Sequence, residues 1–278
     1  NGMIVRKILN NNLLLAADEN GREQIVMGKG LRFLNQVGEE LRQEQIQKIF
    51  VLQDESAAQR YMQLLQDIPD AFAETLEDAM QLAYEQFPGK LNDQLFVTLF
   101  DHLVYAVERC RKHIVLPNRL LWEVQRFYPK EFAVGQQIRT LLNERLDIEL
   151  PPEEAGNIAF HLVNAQTENP DMERTMQAMR MLKDMYGIIQ MSFGRTIDEN
   201  SIHYSRFLTH MQFFIERVLD GKMLSSADIQ VLEPVLEQNP QAFACAKRIA
   251  GYMHRNLQVE IPREELIYLT IHMTRIML

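Results

Sequence analysis

The sequence predicts a multidomain protein in which a small antiparallel β domain at the N-terminus is followed by two duplicated all-α helical bundles. β-prone segments surround an Asn-Gly turn in the first 52 residues, and helical periodicity begins near residue 71. A long segment then occurs twice, because LDIELPPEEAGNIAFHL at Leu146–Leu162 matches LQVEIPREELIYLTIHM at Leu257–Met273, 111 positions later. A repeat of this length indicates a duplicated domain, since solenoid repeats span only tens of residues.

The N-terminal region reads as a small antiparallel sheet. Residues 4–9 are β-prone, residues 13–17 form an apolar run, and Asn20-Gly21 predicts a hairpin to a returning strand at 24–27. Residues 49–52 predict a last strand. Gly28-Lys29-Gly30 predicts a turn at which the backbone can approach a ligand closely. A sheet of this size is weak alone, so we expect oligomerisation.

Helical periodicity and end signals define the remaining elements. Asp70 is suited to cap a first helix, and Pro152 suits a helix first turn in which Glu153 and Glu154 are favourable at the positive end. The expected domains are 1–58, 66–169 and 170–278. The expected helices are about 71–85, 92–112, 118–127, 130–146 and 152–166 in the first copy, and 172–193, 202–219, 226–237, 240–257 and 262–277 in the second.

Composition limits the classes of function. The chain has 278 residues, 46% of them hydrophobic and 24% charged, which is ordinary for a globular protein. A net charge of −9 argues against broad nonspecific binding of nucleic acid or membrane but leaves room for a small specific site. Cys110 and Cys245 imply no disulfide framework, and we expect both thiols to be reduced and buried. No apolar run approaches membrane-spanning length, so we expect a cytoplasmic protein without membrane insertion.

Each copy carries two histidines on apolar, helix-like segments. DHLVYAVER from Asp101 matches THMQFFIER from Thr209, which places an arginine seven residues after the histidine in both copies. A phosphate on such an imidazole can meet that guanidinium, either within the chain or across an interface. The alternative is that the histidines pack at the edge of the core and the Glu-Arg pairs are solvated faces. The candidate residues are His102, His161, His210 and His272, with Asp101, Arg109 and Arg217 as neighbours of the phosphate.

The sequence gives little support to an enzyme. A His-ligated metal site is the obvious rival, but no HExxH motif and no zinc-type cysteine spacing occurs. Position 33 is Phe33, so the Gly28-Lys29-Gly30 turn lacks the third glycine of a dinucleotide-binding loop. The sequence contains no GxSxG or Walker motif. We therefore expect a protein that is not an enzyme and holds no metal or cofactor.

The N-terminal region combines residue types suited to RNA. Lysine suits phosphates, asparagine suits base edges, and an exposed phenylalanine can stack on a base in an RNA loop. For Asn10-Asn11-Asn12 the alternative is a simple turn, which composition alone favours. The candidate residues are Lys7, Asn10, Asn11, Asn12, Lys29, Arg32 and Phe33.

These residues stand in motifs that resemble a known family. KILNNNLLLAADENGREQIVMGKGLRF closely resembles the RNA-binding N-terminus of the BglG/LicT transcriptional antiterminators. LLWEVQRFYPKEF, FDHLVYAVER, EEAGNIAFHLVNAQ, SRFLTHMQFF and EELIYLTIHM look like segments of the two PTS regulation domains of that family. The resemblance covers nearly all residues from Met3 onward. One departure is Lys29, which stands where many members have arginine and loses bidentate geometry.

The resemblance implies a homodimer that binds a ribonucleic antiterminator hairpin and prevents an overlapping terminator. It implies that the histidines are phosphorylated by proteins of the sugar phosphotransferase system, namely HPr and a sugar-specific enzyme II, with inhibition through the first regulation domain and activation through the second. The alternatives are a helical phospho-sensor that regulates through DNA or protein binding and a His-ligated metalloenzyme. The RNA-contacting positions of the family fall on Lys7, Asn10, Asn12, Gly28, Lys29 and Phe33.

Overall fold

The N-terminal domain is a five-stranded antiparallel sheet. In the computed structural model, residues 2–51, 55–114, 121–166, 171–195, 197–226 and 231–277 are described. The strands are β1 (Met3–Ile8), β2 (Leu13–Ala17), β3 (Glu23–Met27), β4 (Glu40–Leu41) and β5 (Lys48–Phe50). Their order in the sheet is β4-β1-β2-β3-β5, and every residue of the central strand β2 is buried, because layers cover both faces of the sheet.

The hairpin predicted at Asn20-Gly21 joins β2 to β3. Ala17 pairs with Glu23 and Leu13 with Met27, so the connecting loop covers residues 18–22. Gly21 has a φ of 78°, a conformation that L side chains rarely adopt. The sequence therefore located the turn correctly, although the loop is longer than the two-residue type that Asn-Gly favours.

The Gly28-Lys29-Gly30 turn leads into a one-turn helix, α1 (Leu31–Leu34). Gly30 has a φ of 67°. A Cβ on Gly28 would lie 2.1 Å from the carbonyl oxygen of Gln45, so this glycine permits a close approach of the chain to itself. From the sequence we expected a glycine here to let a ligand approach the backbone. The structure shows another reason for the glycine, the close approach of the Gln45 backbone.

The two faces of the sheet belong to different cores. One face contributes Leu13, Leu15, Ile25, Met27 and Phe50 to a cluster that continues into the first helical bundle. The opposite face forms its own cluster, which α1 helps to cover through Leu31. Members of this second cluster include Met3, Val5, Leu14, Ala16, Val26 and Leu41.

The first compact unit, residues 1–172, contains this sheet together with the first helical bundle. The helices are α2 (Glu55–Gln66), α3 (Asp70–Gln86), α4 (Gln94–Arg111), α5 (Leu121–Phe127), α6 (Pro129–Leu146) and α7 (Glu153–Asn164). In the bundle, α6 packs against α3 and α7, while α4 packs against α2, α3 and α7.

The second compact unit, residues 173–278, repeats the pattern of helices. The helices are α8 (Met172–Phe193), α9 (Ile202–Asp220), α10 (Pro234–Gln238), α11 (Pro240–Leu257) and α12 (Arg263–Met277). Here α12 packs against α9 and α11, as α7 packs against α4 and α6 in the first unit. Within the described residues, every strand lies before residue 51, which agrees with the predicted fold class.

Four local expectations were wrong or only partly correct. Asp70 is the first residue of α3, and Pro69 holds the N-cap position. Pro152 is the N-cap of α7 and not part of its first turn. Cys245 is buried as expected, but Cys110 is only half-buried. Of the helix expected over 226–237, residues 227–230 lie outside the described residues, 231–233 form turns, and the helix begins at Pro234.

No helix in the described ranges combines enough length with enough apolar character to cross a bilayer.

Candidate functional site

The two histidines of the first bundle lie side by side. His102 on α4 and His161 on α7 have ring centroids 4.8 Å apart, with the ring planes tilted by 46°. The buried Glu154 carboxylate accepts from Nε2 of His102 at 2.8 Å and from Arg109 at 3.2 Å. Both rings line a cleft of about 350 Å³ together with Arg109 and Asp101. The structure thus joins all four candidate residues of this copy at one place.

The second bundle brings its two histidines even closer. His210 on α9 and His272 on α12 are stacked, with ring centroids 3.6 Å apart and planes 22° from parallel. Nδ1 of His210 lies 3.0 Å from the hydroxyl of Tyr268. The Arg217 guanidinium donates to both carboxylate oxygens of Glu265, at 2.8 and 2.7 Å. The candidate residues of this copy, His210, His272 and Arg217, therefore also lie close together.

The hydrogen bond with Glu154 indicates which ring nitrogen of His102 carries a proton. Burial acts to raise the pKa of Glu154, but hydrogen bonds from groups including His102 and Arg109 outweigh burial, so its pKa lies below the usual value. An ionised carboxylate only accepts hydrogen bonds. Nε2 of His102 must therefore carry a proton in this contact, so the tautomer with one ring proton has its lone pair on Nδ1.

Lowered pKa values keep the other three paired histidines neutral. Burial lowers the pKa of His161 to about 3, and His102 contributes while Glu154 opposes the shift. Burial likewise lowers the pKa of His272 to about 4, assisted by His210 and two arginines. Burial, Arg275 and Arg217 lower the pKa of His210. A neutral imidazole keeps a nucleophilic lone pair at physiological pH.

Several positions of the candidate RNA face are open to solvent. Phe33 is 77% exposed, and the neighbouring Lys29 and Arg32 are also exposed. Lys29 and Phe33 line one cleft of about 850 Å³ together with Asn12. Lys7 is exposed on β1 but is not among the residues that line this cleft. The structure therefore brings together part of the predicted set.

The asparagine run is a turn, as the plainer interpretation held, but its side chains also reach another domain. Asn10 is 5% exposed, and its Oδ1 accepts from the backbone of Asn12 and Leu13 at 2.9 Å. Oδ1 of Asn12 accepts from the backbone N–H of Gly30 at 2.9 Å and so ties this turn to the Gly28–Gly30 turn. The amide groups of Asn10, Asn11 and Asn12 all donate to carboxylates on α3.

Sequence reasoning missed the two buried glutamates beside the histidines. Glu154 and Glu265 are 4% and 0% exposed, whereas from sequence Glu154 was interpreted only as a favourable charge at a helix N-terminus and Glu265 was given no role. A signal for a second role existed, since both positions recur at the 111-residue spacing. Acidic side chains are rarely buried without a partner, and here each partner is an arginine near a histidine. In the described ranges, no group of three or more His, Cys, Asp or Glu is arranged to hold a metal ion.

Comparison with protein-family models identifies both kinds of domain. The CAT RNA binding domain matches residues 3–59, and the PRD domain matches residues 74–165 and again 183–276. These matches extend over the sheet and over both helical bundles.

Relatives of known name match along nearly the whole chain. Transcription antiterminator LicT of Bacillus subtilis is 35% identical over 274 residues, 99% of this chain and 99% of that protein. The beta-glucoside operon antiterminator of Dickeya chrysanthemi is 35% identical over 274 residues, 99% of this chain and 96% of that protein. A crystal structure of GlcT CAT-PRDI, 27% identical, covers 60% of this chain and 100% of its own length with a TM-score of 0.54.

Proposed function

The chain belongs to the BglG/LicT family of transcriptional antiterminators, and we propose that as a homodimer it binds a ribonucleic antiterminator hairpin and so prevents an overlapping terminator. HPr and a sugar-specific enzyme II control it by phosphorylating histidines in its two PTS regulation domains. It acts in the cytoplasm and is not an enzyme. Similarity to a beta-glucoside operon antiterminator makes β-glucosides the first sugars to test.

One observation carries the regulatory part of this proposal. Both helical bundles place two histidines within 4.8 Å of each other, ring to ring, on a pair of packed helices with an arginine beside them. A single core histidine needs no function, but two pairs at equivalent places in duplicated domains are poorly explained by packing alone. We assign His102, His161, His210 and His272 as phosphoacceptors on this ground.

The geometry suits transfer of a phosphoryl group. The lone pair of a neutral imidazole attacks phosphorus on a donor phosphohistidine, and the donor N–P bond breaks as the new N–P bond forms. The ring of His102 then bears positive charge, which Glu154 stabilises through the proton on Nε2. Arg109 in the first bundle and Arg217 in the second are placed to compensate the charge of the phosphate.

The RNA part of the proposal rests on the exposed edge of the N-terminal domain. Lys7 and Lys29 supply charge for phosphates, and Phe33 supplies a ring for a base. Asn10 and Asn12 supply amides for base edges, and the backbone N–H of Gly28 supports their turn by donating to the carbonyl oxygen of Asn12 at 2.9 Å. We propose domain boundaries of 1–58 for this RNA-binding domain and of 66–169 and 170–278 for the two regulation domains.

The test is RNA binding by the full chain. The probe is a synthetic RNA hairpin copied from the leader transcript beside the gene of this chain, with a scrambled stem as the negative control. Phe33→Ala should weaken binding by roughly 1–3 kcal/mol because a stacked base loses its platform. Trp122→Ala removes a similarly exposed ring, 76% against 77%, from the helical part and should leave affinity unchanged. Equal affinity for the hairpin and the scrambled RNA would refute the proposed function.

A further inference from the structure

The contact between the asparagine turn and helix α3 joins two parts of the first unit. Asn10 donates to Glu77 at 2.5 Å, and Asn12 donates to the other oxygen of the same carboxylate at 3.3 Å. Asn11 donates to Glu74, one turn earlier on α3, at 2.8 Å. Three consecutive asparagine amides therefore donate hydrogen bonds to two carboxylates of a different domain.

The contact is buried. Glu77 is 3% exposed and Asn10 is 5% exposed, so neither side chain is available to a ligand in this arrangement. Burial raises the pKa of Glu77 to about 7, with Glu74 and Asp78 adding to the shift and the two asparagines opposing it. Keeping this carboxylate ionised in the contact therefore costs free energy.

The same helix borders the open part of the candidate RNA face. Lys29 and Phe33 line the 850 Å³ cleft from the sheet side, while Glu74, Glu77 and Asp78 line it from α3. An RNA strand carries one negative charge for each phosphate, so a row of carboxylates opposes its entry. The cleft that would receive RNA is therefore bordered on its α3 side by charges of the same sign as RNA, of which Asp78 is paired with Arg145.

We propose that the acidic face of α3, Glu74 and Glu77, is an internal competitor for RNA that occupies the asparagines until the first bundle leaves the sheet. This inference rests on the proposed RNA-binding function and adds to it a contact through which the first regulation domain controls RNA. Carboxylate oxygens accept from the asparagine amides as acceptor atoms of a base edge would. RNA binding and the α3 contact are therefore mutually exclusive.

Separating the sheet from the helical bundle also costs free energy, because it exposes an apolar face of the sheet. The sheet face that packs on the helical bundle carries Leu13, Leu15, Ile25, Met27 and Phe50, none more than 5% exposed. Phe50 alone stacks on Phe96 of α4 at 4.0 Å between ring centroids. Separation exposes this face, and the second copy in the proposed dimer is the surface that can cover it.

The deciding variant is Glu77→Ala in the full-length chain. Alanine favours the helix but removes both acceptor oxygens, so that Asn10 and Asn12 lose their partners in the closed state. The apparent dissociation constant for the same leader hairpin is the intrinsic constant divided by the open fraction, so a larger open fraction means tighter binding, and we expect roughly tenfold tighter binding by the variant. The matched control is Glu85→Ala, which removes the same charge from an exposed position of α3 and should change affinity less than twofold.

Hydrogen exchange without RNA supplies the second readout. Amides of residues 10–13 should exchange faster in Glu77→Ala than in the parent, and at the parent rate in Glu85→Ala. Hairpin binding by all three proteins with equal affinity would overturn the internal competitor and leave the proposed function standing. No hairpin binding by any of them would overturn the proposed function and the competitor with it.

Discussion

The two histidine pairs occupy equivalent positions in duplicated domains, yet their buried glutamates have different partners. In the first bundle Glu154 is shared between His102 and Arg109. In the second bundle Glu265 accepts from Arg217 and from the backbone N–H of Leu224. The first carboxylate is thus divided between a histidine and an arginine, whereas the second binds its arginine through both oxygens.

One substitution between the copies accounts for this difference. Position 268 is tyrosine, and the equivalent position of the first copy, 111 residues earlier, is Asn157. The Tyr268 hydroxyl donates to the backbone oxygen of His210 at 3.1 Å and contacts its Nδ1, so His210 has a partner other than Glu265. Duplicated domains can therefore keep the same acidic residue while changing what a phosphate would encounter.

The largest expected effect is on stability. Glu265→Gln leaves the Arg217 guanidinium without its ionic partner, and we expect a loss of about 3 kcal/mol in the free energy of unfolding of the second unit. Glu154→Gln should cost the first unit only about 1 kcal/mol, since its single contacts are 2.8 and 3.2 Å and no bidentate pair is broken.

Urea unfolding can measure these two losses of unfolding free energy separately. The chain has one tryptophan, Trp122, which lies in the first unit and reports on that unit by fluorescence, while circular dichroism reports on both. Equal losses for the two variants would contradict the difference in partners.

The next effect is on the sign of control. In His102→Asp, a carboxylate would stand beside Glu154 and Asp101, so repulsion should disfavour the active arrangement and lower antitermination several-fold. In His210→Asp or His272→Asp, the new charge would lie near Arg217 and Arg275, so attraction should favour the active dimer and raise antitermination. A few kcal/mol of bias is enough to switch a two-state dimer.

A terminator-reporter assay with dimer mass measured alongside tests this polarity. His203→Asp is a matched control, because His203 is exposed on α9, seven residues before His210. Activation by His102→Asp would refute the polarity, and unchanged output from all three variants would refute the phosphoswitch.

The smallest expected effect is a difference in which ring nitrogen carries the phosphate, not in how much phosphate the histidine carries. Nε2 of His102 donates to Glu154, which leaves Nδ1 as the nucleophile. The Tyr268 hydroxyl gives its hydrogen to a carbonyl, so Nδ1 of His210 must donate to it and Nε2 is the nucleophile. NMR of the phosphorylated chain should show Nδ1-phosphohistidine at His102 and Nε2-phosphohistidine at His210. The same isomer at both would contradict the tautomers inferred here.

Features encoded by local sequence were predictable. The helices Met172–Phe193 and Pro240–Leu257 begin and end at the residues that periodicity and the proline start signal indicated. The four histidines were found because the repeat aligns them, and the arginine spacing identified Arg109 and Arg217 as neighbours. These signals require only residues close in sequence or equivalent in the two copies.

The long-range partners were not predictable from one sequence. Asn10 and Glu77 are separated by 67 residues, and His102 and Glu154 by 52. Helical periodicity says which face of α3 is apolar but not which domain its polar edge meets. The role of Tyr268 was equally hidden, since a tyrosine on an amphipathic helix has no distinctive pattern until the fold places it beside His210.

Mapping of phosphate on all seven histidines tests most directly the claim that the paired histidines are the phosphoacceptors. The full chain is phosphorylated by HPr or by the sugar-specific enzyme II, and tandem mass spectrometry locates the phosphate under conditions that preserve N–P bonds. Phosphate should occur only at His102, His161, His210 and His272. The internal controls are His113, His203 and His254, which are exposed and lie outside the pairs. Phosphate on these three residues, or no phosphate on any of the paired four, would contradict the account.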